Sequence, residues 1–460
     1  MGYPAIKRRK AGRGAGVMLA VILNAGAAWG TCLQLEPACL IQEARAGADA
    51  LSDRADRDEV YFEIVITLAG RGERQSALAL AGQIGNPTTF AEAEAEIAIA
   101  EAQQGNFETA MQIAMAILDS RENSVRVTAL EQLAIEQAKR GAIDTAFETV
   151  LAIDNPYRRS EAEANIAKAI AQGQDMDGAF RASARIATSY WFSSGQPQFK
   201  VASGIVSRST EFDDYWFYEA LVSLAVLQAR TGDVVGALRT ARSIPDLESR
   251  SRATSGISIA QADSGDIGGA LDTARRIEAA YGDSAAMIAI AGAKMRTGNT
   301  EGARDLAQQI WTAYGNDAGF AAVAVEQVRA GAVTDGLRYL DHIKSQQTRT
   351  KALHDIGQIL ASAGKVDEAV AVVSQIAEAG DRDLAFEVVT TMLARIGLGT
   401  RALAVVHSLA DGALADKLSI SVLVEMARAG DPNTGLAAAY AIPDPMSRNI
   451  ALAELARLGG

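Results

Sequence analysis

The chain has 460 residues, a net charge of −12, a hydrophobic share of 49% and an aromatic share of only 5%. That balance suits a helical protein packed through small side chains. Its acidity excludes a broad nucleic-acid or anionic-lipid surface, and the lack of period-2 alternation excludes a sheet.

In chain order the first element is a leader. Lys7, Arg8, Arg9, Lys10 and Arg13 precede an apolar run at 17–23 and a small-residue stretch at 25–30, the layout of a bacterial secretory signal peptide. Residues 1–30 are read as that signal, cut after Ala27 or Gly30, and the protein as periplasmic or secreted. Asn24 interrupts the run, which is short for a membrane span, so no stable insertion is expected after cleavage. The five cations are the leader's only charges, so its removal takes the net charge from −12 to −17.

Cys32 and Cys39, the only cysteines, lie in an N-terminal segment, 31–56. In an oxidising compartment six intervening residues allow a disulfide loop; a lipid-modified Cys32 is the alternative. Without a matching His pair they make no zinc site, and neither metal nor cofactor is expected.

From residue 57 onward the chain repeats. Gly232, Gly265, Gly298, Gly331, Gly364, Gly397 and Gly430 stand 33 residues apart, and Gly72, Gly105 and Gly141 open earlier units. Gln174 takes the same slot once, with Ala179 and Ile186 behind it. Five residues after each slot the side chain is small, as in Ala237 and Ala270, and twelve after it aliphatic, as in Ile244 and Ile277. Eight before it stands another aliphatic residue, from Ile64 to Val422, usually followed by a small one. Such spacing predicts two helices per unit, joined where glycine adopts the left-handed conformation that ends a helix. Aliphatic beside tiny side chains let helices interlock, and one unit alone cannot bury its stripe. The expected fold is all-α: an α-solenoid of about eleven antiparallel helix pairs plus a final helix from about Ser447. As an open row it would extend for roughly 100 Å.

The pair Leu224-Ala225, the turn glycine and the alanine five residues on resemble tetratricopeptide repeats over 57–460. The family's aromatic positions are mostly replaced, and the period is 33. The resemblance implies a right-handed superhelix that binds proteins or peptides.

Between slots 174 and 232 one unit carries 25 extra residues. The aromatic insertion at 190–218 holds Tyr190, Trp191, Phe192, Tyr215, Trp216 and Tyr218 among nine aromatic residues. It is read either as a joint between halves of the array or as a ligand-contacting loop. Two residues before the slot runs a basic column, Lys139, Arg230, Arg296, Arg329, Arg395 and Arg428. Those cations could hold carboxylates of an extended peptide, or simply complement helix dipoles. A second column, Arg159, Arg250, Arg349, Arg382 and Arg448, is expected to bond exposed helix ends. His342, His354 and His407 form no metal pattern. The function expected is a non-catalytic scaffold for a protein or peptide. Alternatives are a self-assembling envelope component and, more remotely, an enzyme built on Glu211, Asp213 and Asp214.

Overall fold

The computed structural model describes residues 32, 36–118, 124–173, 175, 178–179, 181–182, 213–277 and 284–458. Its first helices are α1 (Pro37–Asp49), α2 (Arg54–Gly70), α3 (Arg74–Ala81), α4 (Pro87–Gln104), α5 (Phe107–Ala116), α6 (Ser124–Lys139), α7 (Ile143–Val150) and α8 (Pro156–Gln172). Then follow α9 (Asp213–Arg230), α10 (Val234–Arg242), α11 (Leu247–Asp263), α12 (Ile267–Ala274), α13 (Ser284–Arg296), α14 (Thr300–Tyr314), α15 (Ala318–Arg329) and α16 (Val333–Tyr339). The array ends with α17 (Gln346–Ser362), α18 (Val366–Val373), α19 (Ala379–Leu393), α20 (Gly399–His407), α21 (Gly412–Arg428), α22 (Pro432–Ala441) and α23 (Pro445–Leu458). No strand occurs among the described residues.

The described units are antiparallel pairs, mostly a long first helix and a shorter second one, α13 and α14 being the exception. All ten repeat glycines have positive φ, between 72° and 96°. At Gly265 the turn closes with Gly265 N–H donating to Ala262 O and Asp266 N–H to Gln261 O. Asp233, Asp266 and Asn299, one residue past their glycines, then cap the second helices through the N–H groups of Gly236, Gly269 and Gly302. Such caps satisfy donors that a helix start leaves open.

The column eight residues before the slot is the core. From Ile64 through Ile257 to Val422, every member is at most 2% exposed. The small residue five after the slot lets the second helix close in. A Cβ on Gly336 would stand 2.8 Å from Ala324 O and 2.6 Å from Val328. Gln137–Thr149, Gln228–Thr240 and Gln261–Thr273 repeat one side-chain hydrogen bond between the paired helices, at 2.6–2.8 Å. Where units meet, Asp58 and Asp317, 4% and 3% exposed, accept backbone N–H bonds from Gly85 and Asn86 and from Lys344 and Ser345. The second arginine column behaves as expected: Arg159, Arg250, Arg349, Arg382 and Arg448 all donate to carbonyls at outer-helix ends. Arg57 does the same to Leu51.

The chain is an all-α solenoid, but the row is not open. Last helix α23 packs on both α1 and α2. Thr67 donates to Ala453 O, Arg71 to Ala456 O, and one core cluster runs from Cys32–Ala100 into Leu423–Ala456. Leu455 and Ala456 occupy the aliphatic and small positions of one more first helix, both 0% exposed. Its missing second helix is α1. Thirty-three residues before Gly72 stands Cys39, and Ala44, Ala48, Leu51 and Asp53 follow it at the intervals Ala237, Ala241, Ile244 and Asp246 keep from Gly232. Ala44 and Ala48 are fully buried, and Asp53 caps α2. The terminal unit is thus split between the two ends of the chain, and repeat structure starts at residue 37, ahead of the expected 57. Closure follows from stacking: a free end would leave an apolar helix stripe in water.

First helices α2, α4, α6, α8, α9, α11, α13, α15, α17, α19, α21 and α23 each pack on the next, and α23 returns to α2. Second helices contact first helices and hardly one another. The crowded layer has the smaller radius, so the first helices line the ring. Twelve helices at a spacing of about 9–10 Å make a circumference of roughly 115 Å and leave an opening on the order of 25 Å. One stretch, 379–407, is long and apolar enough in composition to cross a membrane. Gly397, with φ 85°, splits it into α19 and α20, which pack against each other within the array.

Candidate protein-binding inner wall

The face that each first helix turns away from its partner recurs at positions 13, 10, 9, 6 and 2 before the slot. On α4 this stripe is Glu92, Ala95, Glu96, Ile99 and Gln103; on α17 it is Lys351, His354, Asp355, Gln358 and Ser362. The five positions on α17 are half-buried or more open, as expected of side chains set between neighbouring helices and facing the opening.

The basic column lies on this wall, matched to carboxylates of the protein itself. Arg296 reaches Asp263 at 3.0 Å and Glu326 at 3.2 Å, and Arg329 shares Glu326 at 3.2 Å. Arg395 and Arg428 share Glu425 at 3.0 and 2.6 Å, and Lys139 pairs with Glu136 at 2.7 Å. Arg230 is exposed in the last turn of α9. The carboxylates Glu136, Glu326 and Glu425 form a column of their own, three residues ahead of the cations. That spacing was readable and was missed.

Between the two Arg–Glu–Arg clamps, the unit of α17 has Ser362 where both neighbours place arginine, and Ile359 where α15 places Glu326. A crevice of about 370 Å³ opens there, lined by Val325, Arg329, Asp355, Gln358, Ile359 and Ser362. A second groove, of about 420 Å³, lies between outer helices α18 and α20 and is spanned by Arg401 and Asp367 at 3.5 Å.

The wall is electrically uneven. Burial raises the carboxyl pKa values of Glu92, Glu94 and Glu96 on α4. Glu131 on α6 is also raised by burial, against the opposing pull of its Asn165 hydrogen bond. On α21, burial pushes Glu425 up, but hydrogen bonds and charge from Arg395 and Arg428 outweigh it and hold the carboxyl below its usual range. Carboxyls on α4 and α6 are thus raised by burial, while arginine clamps hold Glu425 on α21.

The aromatic candidates divide. Tyr190, Trp191 and Phe192 lie outside the described residues, as does the Trp216 side chain. Tyr215 is 44% exposed, with the Arg252 guanidinium 5.5 Å from its ring centre. Tyr218 is corrected: at 8% exposed it belongs to the core with Ala225 and Ile257, so it offers no surface to a partner. Arg252 also pairs with Glu219. Helices α8 and α9 pack directly on each other, so the inner layer continues past the insertion. Glu211 is outside the described residues, as are the side chains of Asp213 and Asp214. His342 stacks on Phe320 at 5.1 Å, and His354 lies 3.6 Å from Asp355. Among the described residues no cluster of three metal-ligating side chains occurs.

No family model matches the chain, and no curated protein matches it. Solved structures similar to it include Ton1535 from Thermococcus onnurineus NA1, 16% identical, covering 76% of this chain and 94% of that one, with a TM-score of 0.23. Yeast Tom70 is 11% identical, covering 91% and 92%, with a TM-score of 0.36. A circular tandem repeat protein with novel repeat topology is 11% identical, covering 91% and 84%, with a TM-score of 0.14. At these identities and scores the likeness says nothing about activity. The chain's own helix pairs, turn glycines and interlocking columns make it a tetratricopeptide-like helical-repeat protein.

Proposed function

We propose that this protein is an exported, non-catalytic scaffold that holds a protein or peptide segment against the inner wall of its ring. The observation that carries this reading is the recurring stripe on the first helices, open to solvent along α17, with carboxyls raised by burial on α4 and arginine clamps on α13 to α21. Such a wall is preformed, so a partner binds without the cost of ordering it. The leader motif supports a periplasmic or secreted setting, where the Cys32–Cys39 disulfide is sustainable.

The test is site-specific photocrosslinking in the native envelope, from Gln358 on the inner wall and from exposed Val235 on an outer helix. A defined product from Gln358 alone is expected; equal products from both positions would refute the inner-wall reading. Arg329→Glu with Arg395→Glu should reduce capture at least fivefold. Trp191→Ala with Trp216→Ala separates the insertion: if only that pair abolishes capture, the aromatic loop is the site. Light scattering that finds a defined oligomer of the mature protein would favour the self-assembling alternative.

A further inference from the structure

Among the described residues ten units join their first helix to their second by a covalent turn. The seam unit has none, because its first helix is α23 and its second is α1, far apart along the sequence. At this place, independently of what the ring holds, the structure adds features outside the repeat pattern. Helix α1 starts two residues before its slot position, whereas α10 and α12 start two residues after theirs. Cys39, in the slot, is joined by a disulfide to Cys32, which is 5% exposed and part of the seam core. Cys32 N–H donates to the Tyr440 hydroxyl of α22 at 2.9 Å, and that hydroxyl donates to Glu43 of α1 at 2.6 Å. One phenol thus ties the adjoining outer helix to Cys32 and to Glu43 of α1. Closer in, Gly47 faces the Asn449 side chain of α23, with no room for a Cβ.

We propose that the Cys32–Cys39 disulfide latches the ring at this seam, and that its reduction lets α1 undock while the rest of the array stays folded. At the seam α1 can leave α23 without stretching the chain, because no turn joins the two helices. The disulfide substitutes for the missing turn by fixing Cys32 over Tyr440, which anchors α1 against α22 and α23. Reduction consumes a dithiol. Its two thiols supply two electrons and two protons, it leaves as its own disulfide, and Cys32 and Cys39 become thiols. Freed from Cys39, Cys32 no longer holds its N–H against Tyr440, and the contacts of α1 with α22 and α23 lose that support.

Hydrogen exchange of the full mature chain, oxidised and after dithiothreitol, reads this directly. Peptides covering 37–49 and 445–458 should exchange at least tenfold faster after reduction, while 333–393 stays unchanged. Cys32→Ser with Cys39→Ser should reproduce the fast seam without reductant and be insensitive to it. Tyr440→Phe, with the disulfide intact, should accelerate the same two segments at least threefold. Unchanged seam exchange after complete reduction, equal acceleration throughout the array, or a silent Tyr440→Phe would each overturn the latch.

Discussion

The seam and the junction between α15 and α17 solve the same packing problem with different means. In the interior, Leu353 and Ile356 lock α17 to its neighbours, Asp317 bonds the backbone of Lys344 and Ser345, and α16 links the two helices through the chain. At the seam, Leu455 fills the column position held by Ile356, but nothing covalent runs from α23 to α1. The contacts are alike, so what differs is cooperativity. An interior unit cannot leave without its neighbours, whereas α1 leaves alone.

The sharpest way to break that comparison is to cut equal holes in both places. Ile356→Ala and Leu455→Ala each remove a side chain at 0% exposure, at a cost of about 2–5 kcal/mol. The interior variant should lower the cooperative melting transition. The seam variant should lower protection of 37–49 first and leave α17 intact. Identical exchange profiles would mean that the closed ring behaves as one uniform unit.

A smaller effect comes from overfilling. Gly47→Leu drives a side chain into Asn449, whose atoms already lie 2.1–2.4 Å from a Cβ placed there, and should cost about 1–3 kcal/mol. Gly380→Leu, with nothing within 4 Å, should stay within about 0.5 kcal/mol of the parent or gain slightly from helix propensity. Chemical denaturation measures both; equal losses would remove the close approach as an explanation. Below these come the carbonyl-capping arginines. Arg57→Ala at the seam and Arg382→Ala inside should each cost about 1 kcal/mol, with only Arg57→Ala accelerating exchange of α1.

The interior was legible because its turn glycines, aliphatic column and small positions recur ten times or nearly so. The seam was written in the same code: Ala44, Ala48, Leu51 and Asp53 keep the intervals of a second helix, and Leu455-Ala456 those of a first. It escaped notice because Cys39 stands where glycine marks other units and because no glycine slot follows Leu455 within the chain. A split unit has no internal turn to announce it. On the wall, the arginine ladder was readable, but its neutralisation was not. A residue at −5 on one helix meets a −2 residue on the previous one only once the stacking distance is known, as with Glu326 and Arg296. Tyr218 was misjudged because aromatic clustering in sequence does not say which rings turn inward.

The last expected effect concerns the two sectors of the wall, and its sign is what matters. Glu96 is raised from 4.5, chiefly by burial and against the pull of Arg457. Its folded form therefore holds a proton more tightly than the unfolded chain. The contribution is fully present below pH 4.5 and is lost as pH rises through the raised value. Glu425 is lowered from 4.5 because Arg395 and Arg428 outweigh its burial. Its contribution is present above pH 4.5 and is lost as pH falls through the lowered value. Glu96→Gln should therefore gain melting temperature relative to the parent as pH rises, whereas Glu425→Gln should lose it over the same climb. Thermal melts of the three proteins between about pH 3 and 7 decide the point. Parallel difference curves would show that the two sectors are electrically equivalent, and the division between carboxyls raised by burial and a carboxyl held down by arginines would then have no energetic content.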